Sequence, residues 1–338
     1  MRIKKYVWLS MLVFLFSYVA VMAQESHSSN KSIYASPLKK IAGKNQWKEY
    51  KSNPILIRGK QGQWDDWAIG SMSVVIVNGT FHLYYEGWGW AKPIQIGHAT
   101  SKDGIHWKKD RVNPVLPVSK EGWDGGGTWD PYVIYEDGKF KMWYGGTPQG
   151  DCNGKFHWGY AESIDGSHFV KKGIISNEVS PADFEDDHVI HDVKSGYYYM
   201  YYWDRNKEPK GLYRVQSKNE TDFDFRTAEP VRIEGVRETY MHKFTQVFQI
   251  NGKWYMYYAE FRRPRAEGCW TGYATSQDGL NWKVENGQVL LVQDADVTKV
   301  ADDLYVMYYC PNGFFDSEHC DIRLAVLKGN LDSLKNVR

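Results

Sequence analysis

Four side chains in this sequence have the types and placing that proton-transfer chemistry needs: Asp66, Asp130, Asp187 and His242. One group can take a proton while another gives one when their surroundings pull their proton affinities apart. Acidic side chains arriving at one place from separate segments do this to each other, because like charges raise some of their pKa values. The densest group is Asp186-Asp187-His188. Glu238 and Lys243 stand near His242, and Glu86, Asp204 and Glu260 follow aromatic strands. Taken singly, each is as readily a turn cap or a surface charge; only the set points to acid–base work. Aromatic rings are a second resource. The 338 residues include 15 Trp and 24 Tyr, and Trp88, Trp90, Trp123 and Trp129 fall outside strand centres. Such flat rings pack a core or stack on a ligand ring. Arg262, Arg263 and Arg265 are a third resource, forked donors suited to a carboxylate or a sulfate.

The elements that must position these residues form a repeat. An aromatic strand recurs as FHLYYEG, FKMWYGG, YYMYYWD, WYMYYAE and LYVMYYC, with its aromatic pair at 84/85, 143/144, 201/202, 257/258 and 308/309. The steps are 59, 58, 56 and 51 residues. A β-branched strand precedes each copy. Between the two lies Asn78-Gly79, Asp137-Gly138, Ser195-Gly196, Asn251-Gly252 or Asp302-Asp303, and Asn-Gly and Asp-Gly suit two-residue hairpins. A third strand follows. Next comes a Ser-x-Asp-Gly turn, at Ser101, Ser163 and Ser276 and in worn form at Ser217, which leads to a fourth strand. Four antiparallel strands per unit make a propeller blade, and five units make a five-bladed β-propeller, an all-β fold. The fifth unit lacks its fourth strand. QWKEYKSNPIL (46–56) matches HWKKDRVNPVL (106–116), so the N-terminal segment is predicted to complete the last blade.

The repeat also sorts structural from unrepeated residues. Trp64-Asp65 and Trp123-Asp124 each lie 15 residues before a hairpin glycine, Gly79 and Gly138, which argues for structural roles for Asp65 and Asp124. Asp66 answers to Gly125, and Asp130 to Ser71, so Asp66 and Asp130 are specific to their blades. Asp103, Asp165 and Asp278 of the repeated turns read as turn residues. A single concave site on the propeller axis is the expected pocket.

The first 23 residues, with Arg2, Lys4 and Lys5, an apolar run and Val21-Met22-Ala23, read as a secretory signal cleaved near Ala23. Residues 24–45 read as a polar linker or N-terminal extension, and 46–338 as the propeller. Export permits disulfides. Cys310 and Cys320 could close a hairpin loop, Cys152 and Cys269 could pair, or all four could be free thiols; none has zinc-site spacing. With 42 basic and 41 acidic residues, the charge balance gives no footprint for nucleic acid. No segment after the signal is apolar enough to span a membrane.

The five units, the stretch GWDGGGTWDPYVIYEDGKFKMWYGG and the Ser-x-Asp-Gly-x-x-Trp turns resemble the five-bladed propeller glycosidases, glycoside hydrolase families 43, 32, 117 and 130. The resemblance covers about residues 46–328 and is closest in outline to families 43 and 117. It implies a secreted, exo-acting, inverting hydrolase of a plant or algal polysaccharide or oligosaccharide, with a carbohydrate as its partner. Carried over from family 43, Asp66 is the base, Asp187 the residue that orients the acid and tunes its pKa, and Glu238 or His242 the acid. That family's base stands nearer the first hairpin, where this chain has Ser71, and Asp130 holds that register in blade two. A histidine acid in this region resembles family 117. Asp66, Asp130, Asp187 and His242 are therefore the expected catalytic pool. Trp88, Trp123, Trp129, His188, Glu86, Glu260 and Arg262 are the expected substrate contacts. The resemblance requires no cofactor, although some of these families carry a calcium or sodium ion on the axis; no ligand spacing here demands one. The competing readings are a phosphorylase like family 130, using Lys243 and Arg262 for phosphate, and a glycan-binding propeller without catalysis.

Overall fold

The computed structural model describes residues 35–150, 156–175, 185–204, 207–236, 241–261, 269–286, 290, 292–311 and 320–334. Within these, the side chains of 185–187, 241–245, 260–261, 269–270, 286, 292–293 and 333 are outside the description. The expected signal segment also lies outside the described residues. Among the described residues no helix is long and apolar enough to cross a membrane.

The described strands form five antiparallel blades around one axis. The inner strands are Ala68–Val77, Gly127–Glu136, Glu185–Asp192, Met241–Ile250 and Val292–Ala301, and each pairs with the aromatic strand that follows it. The hairpins between them are as tight as their residues require: Asn78, Asp137 and Asn251 have φ of 49°, 52° and 52°, each followed by a glycine with positive φ. The aromatic pairs are core, with Tyr84, Tyr85, Trp143, Tyr144, Tyr201, Tyr202, Tyr257, Tyr308 and Tyr309 almost wholly buried. Most of the aromatic excess is thereby absorbed by packing between sheets.

The ring closes as the repeat predicts. Lys48 and Glu49 pair with Val326 and Ala325 on the third strand of blade five, Arg323–Lys328. Asn53 exchanges hydrogen bonds with the backbone of Leu324, at 3.0 and 2.9 Å. Asn113 does the same with His98 in blade one, at 2.9 and 2.8 Å. Three features differ from the simple repeat. Gly43–Lys44 adds a parallel strand to blade five, and Arg232–Glu234 adds one to blade four. Part of the expected linker, residues 35–41, is helical. Ala35 and Leu38 are fully buried there against Leu56, Phe81 and Leu304, because this short stretch offers an apolar face despite its polar surroundings.

Two rings of contacts join blade to blade. The outer ring uses the repeated turns. Asp103 Oδ1 accepts from the backbone N–H of Ile105 and His106, Asp165 from Ser167 and His168, and Asp278 from Leu280 and Asn281. In the worn copy, Asn219 accepts from Thr221 and Asp222. Each turn then receives the first aromatic of the preceding blade: Tyr308 OH donates to Gly104 O, Tyr84 OH to Gly166 O, Trp143 Nε1 to Glu220 O and Tyr201 OH to Gly279 O, all at 2.8–2.9 Å. The fifth joint is an edge contact between Tyr257 and Trp47 of the N-terminal segment.

The inner ring lies on the axis. Ser73, Tyr132, His188, Gln246 and Asp296 each sit opposite the first aromatic of their own blade. Each is followed by a buried valine: Val74, Val133, Val189, Val247 and Val297. Val74 N donates to Asp296 Oδ2 at 3.3 Å, and Val133 N to Ser73 Oγ at 3.0 Å. Gln246 bonds both the N–H and the C=O of Val297, and His188 is hydrogen-bonded to the backbone of Val247. Between blades two and three the contact is between rings, Tyr132 and His188, with centroids 3.9 Å apart. Four of the five inter-blade joints are thus side chain to backbone hydrogen bonds at one level of the axis, although His188 Nε2 has no hydrogen-bond partner among the described residues.

Asp296 contributes a carboxyl to this ring. Burial pushes its pKa from 3.8 up to about 7, against the lowering effect of its bonds from Thr298 Oγ1 and Val74 N. The folded chain therefore holds this proton at pH values where the unfolded chain releases it. Its contribution to stability is complete below pH 3.8 and is lost as pH rises through about 7. A shift of this size corresponds to about 4 kcal/mol. Denaturant titrations across that range should show a decline in the wild type that Asp296→Asn lacks; parallel pH profiles would contradict this role.

Candidate active site

Each inner strand carries one extra residue near its start, where register with its neighbour shifts. Such a bulge bends the strand and redirects a side chain. In three blades the bulged residue is left-handed without being glycine: Ser71 (φ 31°), Asp130 (φ 41°) and Asp294 (φ 46°). Strained backbone of this kind recurs at functional sites, and Asp tolerates it better than most residues. The five bulges thus mark one end of the axis as the mouth.

Asp130 is half-buried at this mouth, and Glu86 lies directly behind it. Glu86 lies near the end of the aromatic strand of blade one, opposite Gly70, and is only 2% exposed. Its Oε1 accepts from the Asp130 backbone N–H at 2.5 Å, and its Oε2 accepts from Trp88 Nε1 at 3.0 Å. The two carboxyl groups also hydrogen-bond to each other. Burial, and then the negative charge of Asp130, hold the Glu86 carboxyl well above its usual pKa; the two N–H donors oppose this without overcoming it. Glu86 therefore keeps a proton and gives its hydrogen bond to Asp130, which carries the charge.

Aromatic rings flank the pair. Trp88 lies 5.4 Å from Trp129, edge to face, and 6.0 Å from Trp67. Trp129 continues to Phe156 at 5.9 Å. All four are half-buried, so together they form a row of partly open rings beside Asp130.

Several expected site residues lie elsewhere. Asp66 does not join Asp130. Its carboxylate accepts from Gly62 N at 2.6 Å and Trp90 N at 3.0 Å, tying the loop before blade one to the next loop of that blade, and these bonds lower its pKa. Trp123 is wedged between Tyr144 and the backbone. A Cβ on Gly159 would come within 2.2 Å of it, just as one on Gly97 would come within 2.8 Å of Trp64. The paired aspartates behave as the repeat predicts: Asp65 holds Lys109 and Tyr85, and Asp124 holds Lys171 and Tyr144. His188 is 4% exposed and belongs to the axial ring. Burial lowers its pKa to about 3, so its imidazole is neutral. Trp90 is exposed in the loop after the aromatic strand of blade one.

By backbone register, Asp186 and Asp187 stand at the blade-three bulge, and His242 pairs with Glu260 in blade four. The side chains of Asp186, Asp187, His242, Lys243 and Glu260 are outside the description. Glu238, Arg262, Arg263 and Arg265 lie outside the described residues. Sequence reasoning did not single out Asp294, which is 8% exposed and holds the blade-five equivalent of the Asp130 position. It stands two residues before Asp296, as Asp130 stands two before Tyr132, and that spacing was the available signal. Among the described residues no group of three or more His, Cys, Asp or Glu forms a metal site.

The chain shares the five-bladed fold of the propeller glycoside hydrolases. It aligns with a thermostable family-43 glycoside hydrolase at TM-score 0.57 and 18% identity, over 80% of this chain and 91% of that one. The beta-1,2-mannobiose phosphorylase of Listeria innocua, solved with beta-1,2-mannobiose, aligns at TM-score 0.64 and 14% identity, over 83% and 96%. In sequence, the chain is 29% identical over 161 residues to an uncharacterised protein of Mycobacterium tuberculosis, covering 46% of this chain and 53% of that protein. It is 24% identical over 266 residues to the sucrose-6-phosphate hydrolase of Escherichia coli, covering 69% and 52%. The chain thus spans about half the length of these curated relatives. No protein-family profile matches it.

The proton on Glu86 is directly observable. In an Asp296→Asn background, which removes the other carboxyl that burial keeps protonated, the infrared spectrum at neutral pH should contain a protonated-carboxyl carbonyl band that adding Glu86→Gln removes. A background protein without that band, or a double variant that keeps the same band, would contradict the assignment.

Proposed function

We propose that this protein is a secreted, exo-acting glycoside hydrolase that cleaves a plant or algal polysaccharide or oligosaccharide with inversion. The observation that carries the reading is the Glu86–Asp130 pair at the mouth of a propeller with the glycosidase fold. The two carboxyls touch, so they cannot flank a glycosidic bond, which needs about 5 Å between them for retention and about 6.5–9.5 Å for inversion. They act as one unit. Glu86 is too buried to reach a sugar and is a positioning residue; Asp130 is the group that faces the substrate.

In this reading Asp130 is the base. It accepts a proton from a water molecule as the water oxygen bonds to the anomeric carbon. The bond from that carbon to the leaving oxygen breaks, and the leaving oxygen takes a proton from an acid on the far side. Blades three and four supply that acid, where Asp187 and His242 stand near the strand starts. Trp88 and Trp129 hold the sugar face. A hydrogen bond from protonated Glu86 keeps Asp130 ionised and aimed; with Glu86 ionised, two like charges would share the mouth.

Asp130→Asn should lower turnover by about 10²–10⁴-fold while sugar affinity, read by calorimetry, stays within a few-fold. Unchanged turnover would remove Asp130 from the reaction. Sugar binding by a wild type that turns over no glycoside would instead favour a binding propeller. A screen of polysaccharides and oligosaccharides with proton NMR of the first product should give the inverted anomer. The likeness to the Listeria innocua phosphorylase supports a second reading, phosphorolysis. It requires a sugar phosphate as product and a rate that depends on added inorganic phosphate; hydrolysis requires neither.

A further inference from the structure

Cys310 and Cys320 are free thiols, and both are buried, at 0% and 1% exposure. Cys310 lies near the end of the second strand of blade five, Leu304–Pro311, and Cys320 stands just ahead of the third, Arg323–Lys328. The Cys310 thiol is hydrogen-bonded to Cys320 and also donates to Ile69 O at 3.6 Å. Ile69 N donates to Cys320 O at 3.0 Å. The two cysteines therefore grip both backbone groups of Ile69, one residue before Gly70, which lies opposite Glu86. A lone buried cysteine fills space as a small hydrophobe. Here two thiols are hydrogen-bonded to each other across a ten-residue separation.

We propose that Cys310 and Cys320 are the reduced form of a disulfide that staples two strands of blade five behind the mouth. The oxidant is an external disulfide, a small molecule or another protein, as an exported chain would meet. One cysteine thiolate attacks a sulfur of the external disulfide, breaking that S–S bond and releasing one thiol. The second thiolate attacks the mixed disulfide, forming the Cys310–Cys320 bond and releasing the other thiol. Two electrons pass to the external disulfide, and the two cysteine protons end on the released thiols. Burial shields both sulfurs in the folded chain, so exchange takes place during folding and the finished bond resists reductant. Closing this loop restricts the unfolded chain. The inference rests on the export in the proposed function but not on its glycosidase activity.

The full chain refolded in a buffer of oxidised and reduced glutathione, alkylated under denaturing conditions and digested, tests this by mass spectrometry. The peptides bearing Cys310 and Cys320 should be linked and lighter by two hydrogens than the reduced pair. Both residues alkylated, or joined to Cys152 or Cys269, overturns the proposal. A second reading uses melting temperature. The refolded wild type should melt lower after denaturation and refolding with dithiothreitol, while Cys310→Ser/Cys320→Ser should respond to neither buffer. A wild type insensitive to reductant, or a double variant as sensitive as the wild type, also overturns it.

Discussion

The structure depends on a side chain at one level of each inner strand meeting the backbone of the next blade. Asp296 to Val74, Ser73 to Val133, His188 to Val247 and Gln246 to Val297 are hydrogen bonds, and Tyr132 to His188 is a ring contact. A sheet blade has one buried face toward each neighbour, and unpaired polar groups on the axis would be costly. Five different side chains solve that problem at the same position. Apolar packing supplies most of the stability, but this ring fixes how the blades are rotated against each other and hence what the bulges above it present.

The candidate site follows from that constraint. The inner strand of each blade must leave the ring and turn outward, and the extra residue at the bulge makes the turn. Where that residue is Asp130, its backbone N–H points at Glu86 and its carboxyl meets the Glu86 carboxyl. One proton shared by a buried and a half-buried acid gives an ionised group at the surface of the mouth, held by a neutral group beneath it. Trp88 both donates to Glu86 and builds the aromatic row, so a ring that anchors the buried acid also shapes the mouth.

The blade count, the hairpins and the closing N-terminal strand were legible in the sequence because all three repeat. The aromatic pairs recur with the same neighbours, and Asn53 sits in its segment as Asn113 does in its own. The site was less legible. Bulges break the alternation of faces, so counting residues from a turn does not say which side chain reaches the axis. Asp66 is unrepeated, yet its loop folds back on the blade and uses it as a cap. Glu86 read as a sugar contact, whereas burial places it behind Asp130. Asp294 carried the right spacing but sat in the blade with the least regular turn. The helix at 35–41 was hidden because two buried residues suffice to anchor it.

The most direct measurement is a crystal structure of the Asp130→Asn protein with an unhydrolysed oligosaccharide. The substituted amide should lie within hydrogen-bond reach of a water facing the anomeric carbon, with Trp88 or Trp129 against the sugar and Glu86 sequestered from it. A sugar bound away from residue 130, or in direct contact with Glu86, would contradict the assignment of Asp130 as the base.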